Sequence, residues 1–401
     1  MQNQPNFRVE FIALMASLMS IVALSIDALL PALPKIGTAL GVTDPSDNQL
    51  LITMIFLGLG FGQLIFGPLS DSFGRKPMVY FGFAVFVISS LVCVTTNSFE
   101  VMIIGRIFQG IGLSSPRTIA IAITRDTYSG DLMAKVLSII VMFFILVPIV
   151  APTLGQWLLD LFNWQAIFNG NLFIGLIIVL WFWKRQPETL SSKNKIKFTP
   201  AIFITGAKEF IRYREAVAFT LVSGFITGSF MVYLSTSQQI FQEQYHLGDM
   251  FPYIFASTAF SVGFATFTNS RLVMRFGAFN IAFTAALAYA AISLLYVILF
   301  FSGQNPSIAV LISFFLIQFF AVGFLFGNLR SLAMEPLGHI AGIGSAINGF
   351  VSTVMAVPIA NYIGSYVSTS VLPLFVGFSI FGVLSVFVFM IVRRRRTVVR
   401  A

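Results

Sequence analysis

Charge is scarce in this sequence. Asp, Glu, Lys and Arg make up 10% of 401 residues, where a soluble globular chain carries roughly 25%. An ordinary water-facing surface is therefore excluded. Cysteine occurs once, at Cys93, so neither a disulfide framework nor a cysteine-rich metal site forms within one chain. The only histidines, His246 and His339, fall in or near loops without a second metal ligand at useful spacing. No metal and no cofactor is expected. A nucleophile triad, a phosphate-binding glycine loop and a Walker motif are all missing, so neither ATP-driven transport nor an enzyme is supported. What the chain has in quantity is apolar surface. Hydrophobic residues make up 57%, with 46 phenylalanines among them, and the mean hydropathy is +0.90. This is the composition of a polytopic membrane protein.

A helix that crosses a bilayer needs about 20 mostly apolar residues. In the first half such segments are predicted over residues 9–31, 49–66, 78–94, 101–122, 136–159 and 164–183. The first carries Asp27 and lacks a small-residue cleavage pattern, so it is expected to be retained. Residues 184–214 then hold eight cations and two prolines, the composition of a linker. Its later part, with Ile202, Phe203, Ile204, Phe210 and Ile211, fits a short amphipathic helix on the membrane surface. Two more segments follow at 216–240 and 252–269. Residues 276–329 and 336–392 contain no Asp, Glu, Lys or Arg, and each is long enough for two spans. The expected fold is all-α and integral to the membrane, with twelve transmembrane helices in two six-helix bundles. The domains are 1–185 (N-terminal bundle), 186–214 (cytoplasmic linker), 215–392 (C-terminal bundle) and 393–401 (basic cytoplasmic tail).

The net charge of +9 and pI near 9.8 would suit nucleic acid if the cations were spread evenly, but they are not. With the N-terminus inside, the inner loops collect Arg75, Lys76, Arg125, Lys135, the linker cluster, Arg271, Arg275, Arg330 and the tail arginines. The outer loops hold Lys35 and almost nothing else basic. Positive residues accumulate on the cytoplasmic side of membrane proteins, so both termini are expected there. Anionic lipid, not nucleic acid, is the expected partner of the cations. The arginine tail reads as a stop-transfer anchor. A six-plus-six arrangement suggests an internal duplication. Phe73-Gly74 parallels Phe276-Gly277, and Val147-Pro148-Ile149 with Gly155 parallels Val357-Pro358-Ile359 with Gly364.

Four stretches carry polar chemistry inside this apolar frame. Residues 67–77 place Gly67, Asp71, Gly74, Arg75 and Lys76 between two apolar runs, where two glycines and two prolines permit a tight turn. Asp71 and Arg75 are four apart and would face each other on one helical turn. Asp27 lies in the outer part of the first span, and ionisable groups placed in hydrocarbon usually face an interior cavity. A carboxyl that gains and loses a proton at working pH is what proton coupling needs. The alternative is a carboxyl that caps or pairs near the outer interface. Arg106 sits about six residues into the fourth span and keeps its charge at any working pH. It must find a carboxylate, backbone carbonyls or water, or else snorkel to the interface. Both residues fall toward the outer half, which allows a contact between them. Pro148, Pro152 and Gly155 mark a fifth span that bends or packs closely.

These residues together resemble the major facilitator superfamily over the whole chain, and within it the bicyclomycin/chloramphenicol-resistance branch of drug/proton antiporters. Residues 67–76 are similar to the family's loop motif between its second and third helices. Ser25-Ile-Asp27 through Pro31 and Pro34 looks like that branch's first-helix motif. Arg106 through Gln109, Gly110 and Gly112 resembles the fourth-helix arginine motif. Pro148 through Pro152 and Gly155 looks like the fifth-helix antiporter motif, with Ala151 and Gln156 where many exporters carry glycine. The resemblance implies two bundles that alternate access to a midplane cavity, in a bacterial inner membrane. It implies a monomer that exports small hydrophobic or cationic drugs against entering protons. Asp27 would then carry the proton and contact substrate, Arg106 would be its coupling partner, and Asp71 with Arg75 would hold the inner gate. Export of a native metabolite, such as a siderophore or an amino-acid derivative, and proton/solute symport remain alternatives on the same fold.

Overall fold

The computed structural model describes residues 9–191, 195–199 and 201–400, without the side chains of residues 131, 134, 145, 395 and 397–400. The tail residues Arg395 and Arg400 and the linker residue Lys193 therefore lie outside what is described. Among the described residues every regular element is helical. In a bilayer the backbone must bond to itself, and a helix does so within one segment.

The chain divides into two compact units, residues 1–200 and 201–401. The first holds α1 (Val9–Asp27), the short α2 (Leu33–Ala39), α3 (Leu50–Phe73), α4 (Arg75–Thr95), α5 (Phe99–Thr127), α6 (Gly130–Leu161) and α7 (Trp164–Arg185). The second holds α8 (Ala201–Arg212), α9 (Arg214–Gln238), α10 (Phe251–Phe276), α11 (Ala278–Leu299), α12 (Ile308–Met334), α13 (Ala341–Gly364) and α14 (Leu372–Arg400). Of the stretch expected as a linker, the described residues 186–191 and 195–199 belong to the first unit and α8 to the second. Nine segments among the described residues are long and apolar enough to cross a membrane, and one of these, Ile308–Gly364, contains both α12 and α13. Helices α5 and α10 are not among them. α5 carries Glu100, Arg106, Gln109 and Arg117, and α10 carries Asn269, Arg271 and Arg275.

Within unit 1 the tightest packing joins α3 to α5. A Cβ on Gly58 would strike the Ile107 carbonyl, and a Cβ on Gly110 would strike the Ile55 carbonyl, so each helix presses its backbone into a glycine of the other. Lipid is as apolar as leucine, so close contact of this kind supplies the attraction between such helices. Sequence-local caps fix the ends. Ser98 Oγ accepts from Val101 N at 3.3 Å, and Asn163 Oδ1 accepts from Ala166 N at 3.0 Å.

Two expectations are refined. The tight turn expected within residues 67–77 occupies one residue, and the rest of the stretch is helical. Gly67, Pro68 and Asp71 continue α3, Pro77 lies in α4, and the joint is Gly74 alone, at φ 111°. Pro68 cannot donate to Leu64 O four residues back, yet α3 continues across it; Ser70 and Ser72 add side-chain bonds to Gly67 O at 2.9 Å and to Pro68 O at 3.1 Å. The first helix also stops earlier than residue 31. α1 ends at Asp27, and a 3-10 turn, Leu30–Ala32, leads into α2, since Pro31 and Pro34 cannot donate to a continuing ladder.

In unit 2, Gly277 repeats the Gly74 joint between α10 and α11 at φ 77°. The core is aromatic: Tyr233 lies 4.4 Å from Phe319, and Tyr296 stacks on Phe375 at 3.7 Å. At one end Arg396 donates to both oxygens of Glu215, and to Glu335 at 3.1 Å, with its guanidinium 5.1 Å from the Phe279 ring. The Glu215 hydrogen bonds foremost hold the Arg396 pKa above its ordinary value.

Candidate functional site

Arg106 is fully buried, at 0% exposure, and three other helices contact its side chain, with a fourth reached through Gln109. Its Nε donates to Leu51 O on α3 at 2.8 Å, and Nη1 donates to Ser25 O on α1 at 3.2 Å and to Gln109 Oε1 on α5 itself. Gln109 Nε2 in turn donates to Ser90 Oγ on α4 at 2.7 Å. The Phe168 ring of α7 faces the guanidinium at 5.9 Å. The glycine contacts between α3 and α5 set this geometry, because they bring the Leu51 carbonyl within reach. Every acceptor is neutral, so the guanidinium's charge is solvated by dipoles and, among the described residues, bonded to no carboxylate. Arg106 Nη2 and Ser25 Oγ are buried with no hydrogen-bond partner among the described residues.

Asp27 ends α1, two residues beyond the Ser25 carbonyl that Arg106 binds. It is 4% exposed and makes no hydrogen bond or ion pair among the described residues. The structure thus brings Asp27 and Arg106 to the same end of α1 without joining them directly. Behind Asp27 stands α6, where a Cβ on Gly155 would strike the Ala28 carbonyl and Ala151 is fully buried. Gly155 therefore lets α6 back directly onto the residue after Asp27. Pro152 is buried and Pro148 half-buried, both inside unbroken α6. With Asp27 ionised the two buried charges sum to zero, and with Asp27 protonated one positive charge is left. One proton therefore changes the net charge of the nest.

A second cluster forms around Arg75, which is 6% exposed. Its guanidinium bonds Asp71, Ser70 Oγ at 2.8 Å, and Asp126 Oδ2 on α5 at 2.9 Å. Glu188, just beyond α7, accepts from the backbone N of Arg75 at 3.1 Å and of Lys76 at 3.0 Å, which caps α4 from outside its own chain segment. The same carboxylate accepts from Thr189 N and Leu190 N, both at 2.9 Å. Thr189 Oγ1 adds a bond to Asp126 at 3.0 Å, and Ile196 N bonds Asp71 O at 3.1 Å. Lys76 Nζ donates to Trp183 O at 3.4 Å, and Gly67 stays in the α3 backbone. Asp126 and Glu188 are functional neighbours that the sequence does not announce. Neither carries a spacing signal, for they lie 51 and 113 residues from Arg75. Arg117 sits half-buried on α5, 5.5 Å from the Phe144 ring.

The Major Facilitator Superfamily model matches residues 15–360, and the chain belongs to that family of membrane transporters. Its relatives are transporters and not enzymes. It is 29% identical over 357 residues to an uncharacterized MFS-type transporter YdgK of Bacillus subtilis, covering 87% of each chain. It is 28% identical over 366 residues to a bicyclomycin resistance protein homolog of Haemophilus influenzae, again covering 87% of each. The crystal structure of a D-xylose-proton symporter shares the fold at a TM-score of 0.72 and 15% identity, over 94% of this chain and 97% of that one.

Proposed function

We propose that this chain is a proton-coupled exporter of small hydrophobic or cationic drugs, working by alternating access in a bacterial inner membrane. Twelve helices, α1, α3 to α7 and α9 to α14, cross the bilayer with both termini cytoplasmic, and a monomer suffices. The observation that carries the proposal is the pair of buried, opposite and unjoined charges at the end of α1. Asp27 takes a proton from the outer side. The added positive charge, no longer balanced around Arg106, favours rearrangement of the helices that hold it. Release of the proton inward restores balance as substrate is exchanged at Asp27. Asp71, Arg75 and the groups around them hold the inner gate, and α6, bent or sliding at Pro148, Pro152 and Gly155, moves against α1. The resemblance to a bicyclomycin resistance homolog favours drugs over a native metabolite as cargo.

Inside-out vesicles with an acid interior test this. Adding a transported drug is expected to collapse part of the pH gradient in vesicles that carry the protein and to leave control vesicles unchanged. Drug accumulation that persists after the gradient is dissipated would exclude proton coupling. Movement of drug and protons in the same direction would make the protein a symporter.

A further inference from the structure

Helix α8 has three faces rather than the two of an ordinary surface helix. Gly206 and Phe210 are buried, and a Cβ on Gly206 would lie 2.6 Å from Ile343 Cγ1, so this face is docked on α13. On the far side Ile204 is 61% exposed and Ile211 is 68% exposed, with Ala207 between them at helical spacing. Thr205, Lys208 and Arg212 form the third face. Phe210, which the sequence pattern offered to the membrane, instead serves the bundle.

We infer that the Ile204–Ala207–Ile211 face of α8 lies in the boundary between headgroups and acyl chains of a leaflet rich in anionic lipid. Three observations select lipid as the occupant. The docked face pins α8 to the side of a membrane-spanning helix. A single residue, Tyr213, then separates α8 from α9, so α8 is held at the level where an apolar span begins. The charges beside the apolar stripe are also predominantly positive: Lys208, Arg212 and Arg214 stand against Glu209. Glu209 pairs with Arg212 at 3.0 Å and lies 3.4 Å from His339 Nε2, so the excess positive charge is that of Lys208 and Arg214. An apolar stripe bordered by Lys and Arg is the pattern that binds an anionic interface. The surface is thus a lipid-reading element, independent of which solute is carried.

Site-directed spin labelling of the full-length protein tests this. In a Cys93→Ala background, Ile204→Cys, Ile211→Cys and Lys208→Cys are labelled separately and reconstituted. One set of vesicles is phosphatidylcholine alone, and the other contains phosphatidylglycerol as well. The ratio of oxygen to nickel-chelate accessibility is expected to be several-fold higher at positions 204 and 211 than at 208. It should rise further with phosphatidylglycerol, and Lys208→Gln with Arg212→Gln should abolish that rise. Water-like ratios at 204 and 211 would overturn the inference. Shielding from both reagents would overturn it in favour of a covering protein segment. A lipid-like ratio indifferent to phosphatidylglycerol would refute the preference for anionic lipid.

Discussion

Gly110→Ala is a small change with a consequence that the structure makes calculable. The added carbon would strike the Ile55 carbonyl, with Leu59 N at 2.9 Å and Ile55 C at 3.0 Å. Backbone atoms of a helix cannot swing aside, so α3 and α5 must separate by about 1 Å, and interiors packed this tightly have no slack to absorb it. A gap of that size forfeits roughly a quarter to a half of the local dispersion attraction. Overpacking of this kind costs about 1–3 kcal/mol, and a backbone-to-backbone clash belongs at the upper end. Replacing glycine by alanine in a helix returns somewhat less than 1 kcal/mol, by about its propensity difference, so a net loss of roughly 2 kcal/mol is expected. The separation also draws Leu51 O away from Arg106 Nε, so coupled transport should fall with stability. The assay is the thermal unfolding midpoint in detergent, compared with Gly327→Ala. Gly327 has nothing within 4 Å of an added Cβ, so that variant should be neutral or slightly stabilised. If Gly110→Ala unfolds no earlier than Gly327→Ala, the reasoning from backbone contact is wrong.

Glu188→Ala removes the acceptor of four backbone N–H groups. Because the carboxylate is exposed, the loss should stay near that of a helix cap, about 1–2 kcal/mol, seen as earlier unfolding and faster cleavage of residues 189–199 by added protease. Glu188→Gln, which keeps an oxygen in place, should lose about half as much. Asp71→Asn is expected to lower the turnover rate more than it weakens substrate binding, measured by transport and by equilibrium binding; weakened binding at normal turnover would count against a gating role. Arg396→Ala should destabilise by about 1–2 kcal/mol through loss of the Glu215 pair and the ring contact. Arg396→Lys should recover only part of that in the same melting assay, since an ammonium cannot bond both carboxylate oxygens as a fork.

How far the sequence could be read depended on the range of the interaction. Apolar runs are a local property, so the all-helical character of the chain was legible. Gly74 was legible as a joint because a positive φ singles out glycine. Its neighbours misled, since Gly67 and Pro68 stay inside α3. Asp27 and Arg106 stood out as charges that hydrocarbon does not tolerate idly. The partners of Arg106 did not, because a buried guanidinium held by backbone carbonyls of Leu51 and Ser25 leaves no trace in residue type. Glu188 was invisible for a related reason: it caps a helix that begins more than a hundred residues earlier. Gly155 was noted for flexibility, while its contact with Ala28 shows a second use, as a seat for the backbone beside Asp27.

Proton release on drug binding puts the role of Asp27 to the most direct test. Purified protein in lightly buffered detergent is mixed with a transported drug, and the medium is followed with a pH dye. Near neutral pH the wild-type protein is expected to release protons in proportion to drug bound, and Asp27→Asn to release none. Undiminished release from Asp27→Asn, with drug still bound, would contradict the assignment of the coupling proton to Asp27.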